Sequence, residues 1–137
     1  MRTTLDIVDI LWSRLSESNL KDAITGGIYK HIGPVNSTKE DIVINSLPIV
    51  NLDLQTAVAN VNIFVPNPTQ NLNGVQDNSQ PNGARLKELG AVAMEILAAQ
   101  YGADYSFDVQ QSVTLPDEAS GSWYINIRVN FYSINLN

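Results

Sequence analysis

The sequence predicts an α+β fold in the order α-β-β-β-α-β-β, a mainly antiparallel sheet with two helices packed on one face. The first reason is the strict alternation of residues 123–134. Trp123, Ile125, Ile127, Val129 and Phe131 alternate with Tyr124, Asn126, Arg128, Asn130 and Tyr132, the period of a strand with one dry face. The second is that residues 3–18 and 82–101 space their apolar side chains three and four apart, as amphipathic helices do. The third is that 137 residues without a repeat, a linker or a low-complexity tail suit a single domain spanning residues 1–137.

Taken in order, residues 3–18 open with Thr3 or Thr4 as the cap and place Asp6 in the first turn, where the helix dipole favours an anion. Leu5, Val8, Leu11, Trp12 and Leu15 form the apolar stripe, widened by Ile7 and Ile10. Residues 20–25 add a short helical turn that Gly26 and Gly27 break. Residues 28–32 read as a strand ended by Gly33 and Pro34, and residues 35–39 as a polar turn. Residues 40–47 form the next strand, stopped by Pro48, which has no donor for a ladder. Residues 49–53 connect it to a long strand over 54–65, with Ala59, Val61, Ile63 and Val65 on one face and Asn60, Asn62 and Phe64 on the other. These two strands pair as an antiparallel hairpin.

Residues 66–81 (PNPTQNLNGVQDNSQP) read as the longest loop, amide-rich with the single charge Asp77. Loops of this length in compact domains are commonly functional or disordered. Residues 82–101 form the second long helix, its stripe made of Leu86, Leu89, Ala93, Ile96 and Leu97. Its alanines (Ala91, Ala93, Ala98, Ala99) permit close approach to the sheet, and Gly102 is the C-cap. Residues 105–115 alternate again, with Tyr105, Phe107, Val109, Val113 and Leu115 on one side. A turn over 116–121 leads into the last strand.

Composition narrows the function classes. Eight basic residues against fourteen acidic ones give a net charge of −6. The basic residues are scattered, so no footprint for nucleic acid is expected. No cysteine is present, which excludes disulfides, zinc-thiolate sites and cysteine nucleophiles. Asp6 and Asp9 interrupt the first apolar stretch, and no run approaches a membrane span of ~18 apolar residues, so neither a signal peptide nor a membrane partner is expected.

No catalytic motif emerges. His31 is the only histidine, which rules out a multi-histidine metal site. Asp6 with Asp9, and Glu88 with Glu95, lie on single helix sides and read as solvated faces. Glu40 and Asp41 sit at a strand start and, with Asp53, lack the dense oxygen ligands of a calcium loop. Gly26-Gly27 lacks the following Gly-Lys-Ser/Thr of a phosphate loop, and no Gly-x-Ser-x-Gly elbow occurs. The expectation is a protein that is not an enzyme and has no catalytic residue, cofactor or metal.

The polar face of the last strand is hardly charged, which suits a protein interface better than bulk solvent. Tyr124, Arg128 and Tyr132 are the interface candidates there. Asn60 and Asn62 join them from the polar face of residues 54–65, and Asn73 and Asp77 from the 66–81 loop.

The chain resembles the bacteriophage tail terminator, or tail-completion, family of minor tail proteins. Besides the element order, residues 26–30 (GGIYK), 36–47 (NSTKEDIVINSL), 61–66 (VNIFVP) and 77–82 (DNSQPN) are similar to stretches of phage-like proteins of Bacteroidetes type. The resemblance implies a structural virion-assembly protein that forms a ring, commonly a hexamer, capping the tail tube and joining it to the head connector. Its partners would be itself, the tail tube protein and the head-connector protein. Its place would be the virion and, during assembly, the host cytoplasm. The family's interface residues do not transfer one by one. The residues also leave open a non-enzymatic binding module that recognises a glycan or peptide through the 66–81 loop and the polar face of the last strand.

Overall fold

The computed structural model of the protein describes residues 1–102 and 104–134. Helix α1 runs Thr4–Ser16, and α2 is a single turn, Leu20–Ala23. Strands β1 (Ile28–Lys30), β2 (Asp41–Ser46) and β3 (Leu54–Pro66) follow. A small ribbon of β4 (Gln70–Leu72) and β5 (Val75–Asp77) precedes helix α3 (Gly83–Ile96). Strands β6 (Gln100–Tyr101), β7 (Tyr105–Asp117) and β8 (Ser122–Ile134) complete the chain. The main sheet has the order β1-β2-β3-β8-β7-β6. Only its β1–β2 pair is parallel; the other four pairs are antiparallel. The α+β fold thus stands, with α1 and α3 contributing to one core on one sheet face.

Each element follows from local chemistry. Thr3 caps α1 through its backbone N–H, which donates to Asp6 Oδ2 at 2.7 Å. That hydrogen bond, with a second from the Thr3 hydroxyl, holds the Asp6 carboxyl below its usual range. Ile7, Val8, Leu11 and Leu15 are the buried positions of α1. Leu5 is 59% exposed, so the buried stripe begins at Ile7. The odd-numbered residues of β3 from Ala57 to Val65 and Ile127, Val129 and Phe131 of β8 are buried under the helices. At Gly26 a β-carbon would lie 2.0 Å from Asp41 Oδ1 and 2.4 Å from the Glu40 carbonyl oxygen. This close approach, not a left-handed backbone, requires glycine there.

Several expectations are corrected. The 66–81 segment is not a structureless loop: it carries the β4–β5 ribbon, closed by Asn73 (φ 53°) and Gly74 (φ 81°). Asn-Gly with both φ positive is the two-residue turn that matches strand twist. The second long helix stops at Ile96 with Leu97 as its C-cap. Gly102 instead belongs to the β6–β7 turn, where its N–H donates to the Tyr105 carbonyl at 2.6 Å. Of the helix's alanines only Ala93 is buried; the close approach to the sheet is made at Gly90, where a β-carbon would lie 2.7 Å from Ile125 Cδ1.

The largest correction concerns β7. Its ladder with β8 shifts register between Val109 and Gln111. One extra residue in a strand sends every later side chain to the opposite face. Tyr105, Phe107 and Val109 point to the helices as predicted, but Val113 pairs with Asn126 and Leu115 with Tyr124. Both therefore lie on the open face, 42% and 38% exposed.

Candidate interaction face

The helix-free face of the main sheet gathers five of the predicted residues. Asn60 of β3 stands opposite Arg128 of β8, Asn62 opposite Asn126, Phe64 opposite Tyr124 and Thr56 opposite Tyr132. The rings of Phe64 and Tyr124 stack at 4.8 Å. All of these side chains are partly buried, because each is flanked by neighbours on two adjacent strands.

Amides crosslink this face. Asn126 Nδ2 donates to Asn62 Oδ1 at 2.7 Å and to Asn60 Oδ1 at 3.1 Å. Asn60 Nδ2 in turn donates to Asn45 Oδ1 at 2.8 Å. A second link joins Asn130 Nδ2 to Asp108 Oδ1 at 3.0 Å. Amides opposite one another can satisfy each other without charge, which explains a polar face that needs few ions. Substituting Asn126 by alanine leaves two acceptors unpaired at once; we expect a loss of roughly 1 kcal/mol, measured as a lower urea midpoint with an unchanged slope.

Arg128 is flanked in register by Asn60 and Gln111, and it makes no ion pair among the described residues. Asn73 and Asp77 lie apart from this face, on the ribbon. Asn73 is the turn residue. Asp77 Oδ1 accepts from the Ser79 hydroxyl and N–H at 2.7 and 2.9 Å, which holds its carboxyl below the usual range. The ribbon's base is fixed by Asn67 Nδ2 donating to the Asn78 carbonyl at 2.9 Å and Trp123 Nε1 donating to the Ser79 carbonyl at 3.0 Å. Sequence reasoning missed Asn45 as a ladder member and Val113 and Leu115 as surface residues. The Asn-Gly turn signal was available for the ribbon; for the others, only the register reveals the neighbours.

At one end of the face, residues 31–39 arch over the sheet and leave a cavity of about 340 Å³. Val43, Asn45, Asn62 and Phe64 line it from the strands, and Asp117, Ser120 and Ser122 from the β7–β8 turn. His31, in a left-handed conformation (φ 70°) just past β1, lines the same cavity. These residues do not form a nucleophilic triad. Asp117 Oδ2 accepts directly from the Ser120 hydroxyl at 2.8 Å, and the His31 ring makes no hydrogen bond among the described residues. A triad needs the histidine between the two.

Four of the carboxylates are likewise committed to structure. Glu40 holds Arg85 through Oε2 at 2.6 Å and Oε1 at 2.8 Å. Asp41 Oδ1 accepts from the Gly27 N–H at 3.1 Å. Asp9 pairs with Lys30 at 2.8 Å and Glu88 with Arg85 at 3.3 Å. Among the described residues no cluster of three or more histidine or carboxylate groups has metal-binding geometry, and no helix is long and apolar enough to cross a membrane.

The outer edge of β7 is the other notable surface. Strand β6 covers it only where Gln100 and Tyr101 pair with Phe107 and Ser106. Beyond that point no strand pairs with this edge among the described residues, and residues 110–116 are exposed.

No protein-family model matches the chain, and no curated protein matches it significantly.

Proposed function

We propose that the protein is a structural subunit of the tail terminator type, which closes into a homo-oligomeric ring on the end of a tail tube and joins it to the head connector. On this reading it acts in the virion and in the host cytoplasm during assembly, and it works by surface contact without catalysis, cofactor or metal. The observation that carries the reading is the uncovered edge of β7. Residues 109–116 (VQQSVTLP) contain no charge, and only Pro116 interrupts their donors. Proteins that work alone protect such an edge with charges or a covering element as well as bulges and prolines. Past the bulge after Val109, this edge of β7 has neither a charge over 109–116 nor a pairing strand among the described residues. An assembly subunit leaves it to a neighbour, and a ring satisfies head-to-tail contacts by closing them. The lightly charged amide face beside the edge fits the same purpose.

A second reading rests on the cavity under residues 31–39. Its size suits a small ligand, and its mixed amide, hydroxyl and aromatic lining suits a glycan or short peptide held by a non-enzymatic binding module. Light scattering across a tenfold concentration range separates the two. The ring reading expects a closed oligomer, close to a hexamer, that resists dilution and halts the growth of tail tubes mixed with it. A monomer at every concentration transfers the weight to the cavity.

A further inference from the structure

We infer that neighbouring subunits join by seating the β4–β5 ribbon of one copy in an apolar groove at the opposite end of the sheet of the next. The inference rests on the ring reading above and names a contact between ring neighbours besides the β7 edge.

The ribbon is a preformed arm. Its turn residues already hold the positive φ values the turn requires, and its base is tied to Trp123 and Asn67. At its tip, Leu72 and Val75 are cross-strand partners, 50% and 66% exposed. An aliphatic pair held out on a rigid ribbon has no partner within its own chain to bury it.

The groove lies where β2 turns into β3. It has a volume of about 420 Å³ and is lined by Leu47, Pro48, Val50, Val58 and Tyr132 among others, with no acidic or basic residue in its wall. Around it Leu47, Val50, Leu54 and Ile134 are each 41–55% exposed. A group of exposed aliphatic side chains around one groove is the kind of surface at which partners dock. The ribbon leaves β3 at Pro66 and the groove flanks its start at Thr56 and Val58. Eight to ten residue steps at ~3.3 Å separate Val58 and Thr56 from Pro66 by roughly 26–33 Å, so the ribbon does not reach the groove of its own chain.

Charge points to a second copy as the occupant. Each copy carries −6, so copies repel except through neutral surfaces. The groove wall is uncharged, and the ribbon's only charge, Asp77, is at its base. A lone pair of subunits makes this contact once. In a ring every copy makes the contact twice, once through its ribbon and once through its groove, so monomer passes to closed ring with little dimer between.

The absence of cysteine makes the test clean. A double variant, Leu72→Cys with Val50→Cys, is treated with a short bis-maleimide, and its fold is checked by circular dichroism. The inference expects a covalent ladder that ends at the ring size, a single crosslinked dimer when the two single variants are mixed, and no crosslink in either alone. Leu72→Glu should raise the concentration needed for assembly roughly tenfold or more. A ring seen by light scattering without the ladder overturns this contact and leaves the ring reading standing. A monomer at every concentration, with no crosslink, overturns both.

Discussion

Phe131→Ala should cost about 3–5 kcal/mol, the range for emptying a large aromatic site in a core. Phe131 is 1% exposed on β8, the strand between β3 and β7. Its ring lies 5.7 Å from Tyr105 and 6.4 Å from Phe107, both nearly parallel to it. Its partner on β3 is Ala57, too small to fill the space. Hydrogen-bonded strands on both sides prevent the backbone from collapsing into the void. Domains of this size are stable by about 5–15 kcal/mol, so the loss is roughly a fifth of the total or more. Urea unfolding measures it. The internal control is Tyr132→Ala, one residue along and on the open face, where a loss below about 1 kcal/mol is expected. Equal losses at the two positions would contradict the two-faced sheet.

The second large effect is at Arg85, which ties α3 to the start of β2. Its guanidinium makes two hydrogen bonds to Glu40 and one to the Ala23 carbonyl. The Glu40 carboxylate also accepts from the Thr25 N–H, and the Thr25 hydroxyl accepts from the Glu40 N–H. Glu40 is 7% exposed, so Arg85→Ala strands a buried carboxylate. Removing one partner of a fully buried pair costs ~3–5 kcal/mol; with a quarter of the Arg85 side chain exposed, roughly 2–4 kcal/mol is expected.

The pH dependence gives this prediction a signature. The hydrogen-bonded Arg85 holds the Glu40 carboxyl below its ordinary value of 4.5, against the opposing effect of burial. A carboxyl depressed in the folded state adds stability above its unfolded pKa and loses it as pH falls through the folded value. Without Arg85, burial alone raises the same carboxyl, and the penalty for its charge disappears on protonation. The deficit of Arg85→Ala should therefore be full at pH 7 and much smaller near pH 3. A deficit of equal size at both pH values would assign Arg85 a packing role only.

The candidate face was legible in sequence where one strand sufficed to define it. The alternation in residues 123–134 placed Tyr124, Arg128 and Tyr132 together, and that in 54–65 added Asn60 and Asn62. Neither strand says which residues stand opposite, so the amide ladder from Asn45 to Asn126 was invisible before the register was known. The groove behind Val50 was invisible for a similar reason. Its wall comes from a connector and two strands, and an apolar residue in a connector reads the same whether it is buried or bare.

The residues by themselves determined the two-faced strands, the helix stripes and the lack of a thiol, and they narrowed the first cap to Thr3 or Thr4. Each depends on contacts within a few positions or on composition alone. Only the tertiary structure decided that Val113 and Leu115 face outward, because a one-residue bulge inverts a period-two pattern without altering its composition. Only it decided that β7 keeps an open edge, because pairing depends on where a distant segment ends, here β6 after two residues. It also decided that the apolar ribbon and the apolar groove stand at opposite ends of one sheet. That separation follows from the length and direction of β3, and it keeps the ribbon away from the groove of its own chain.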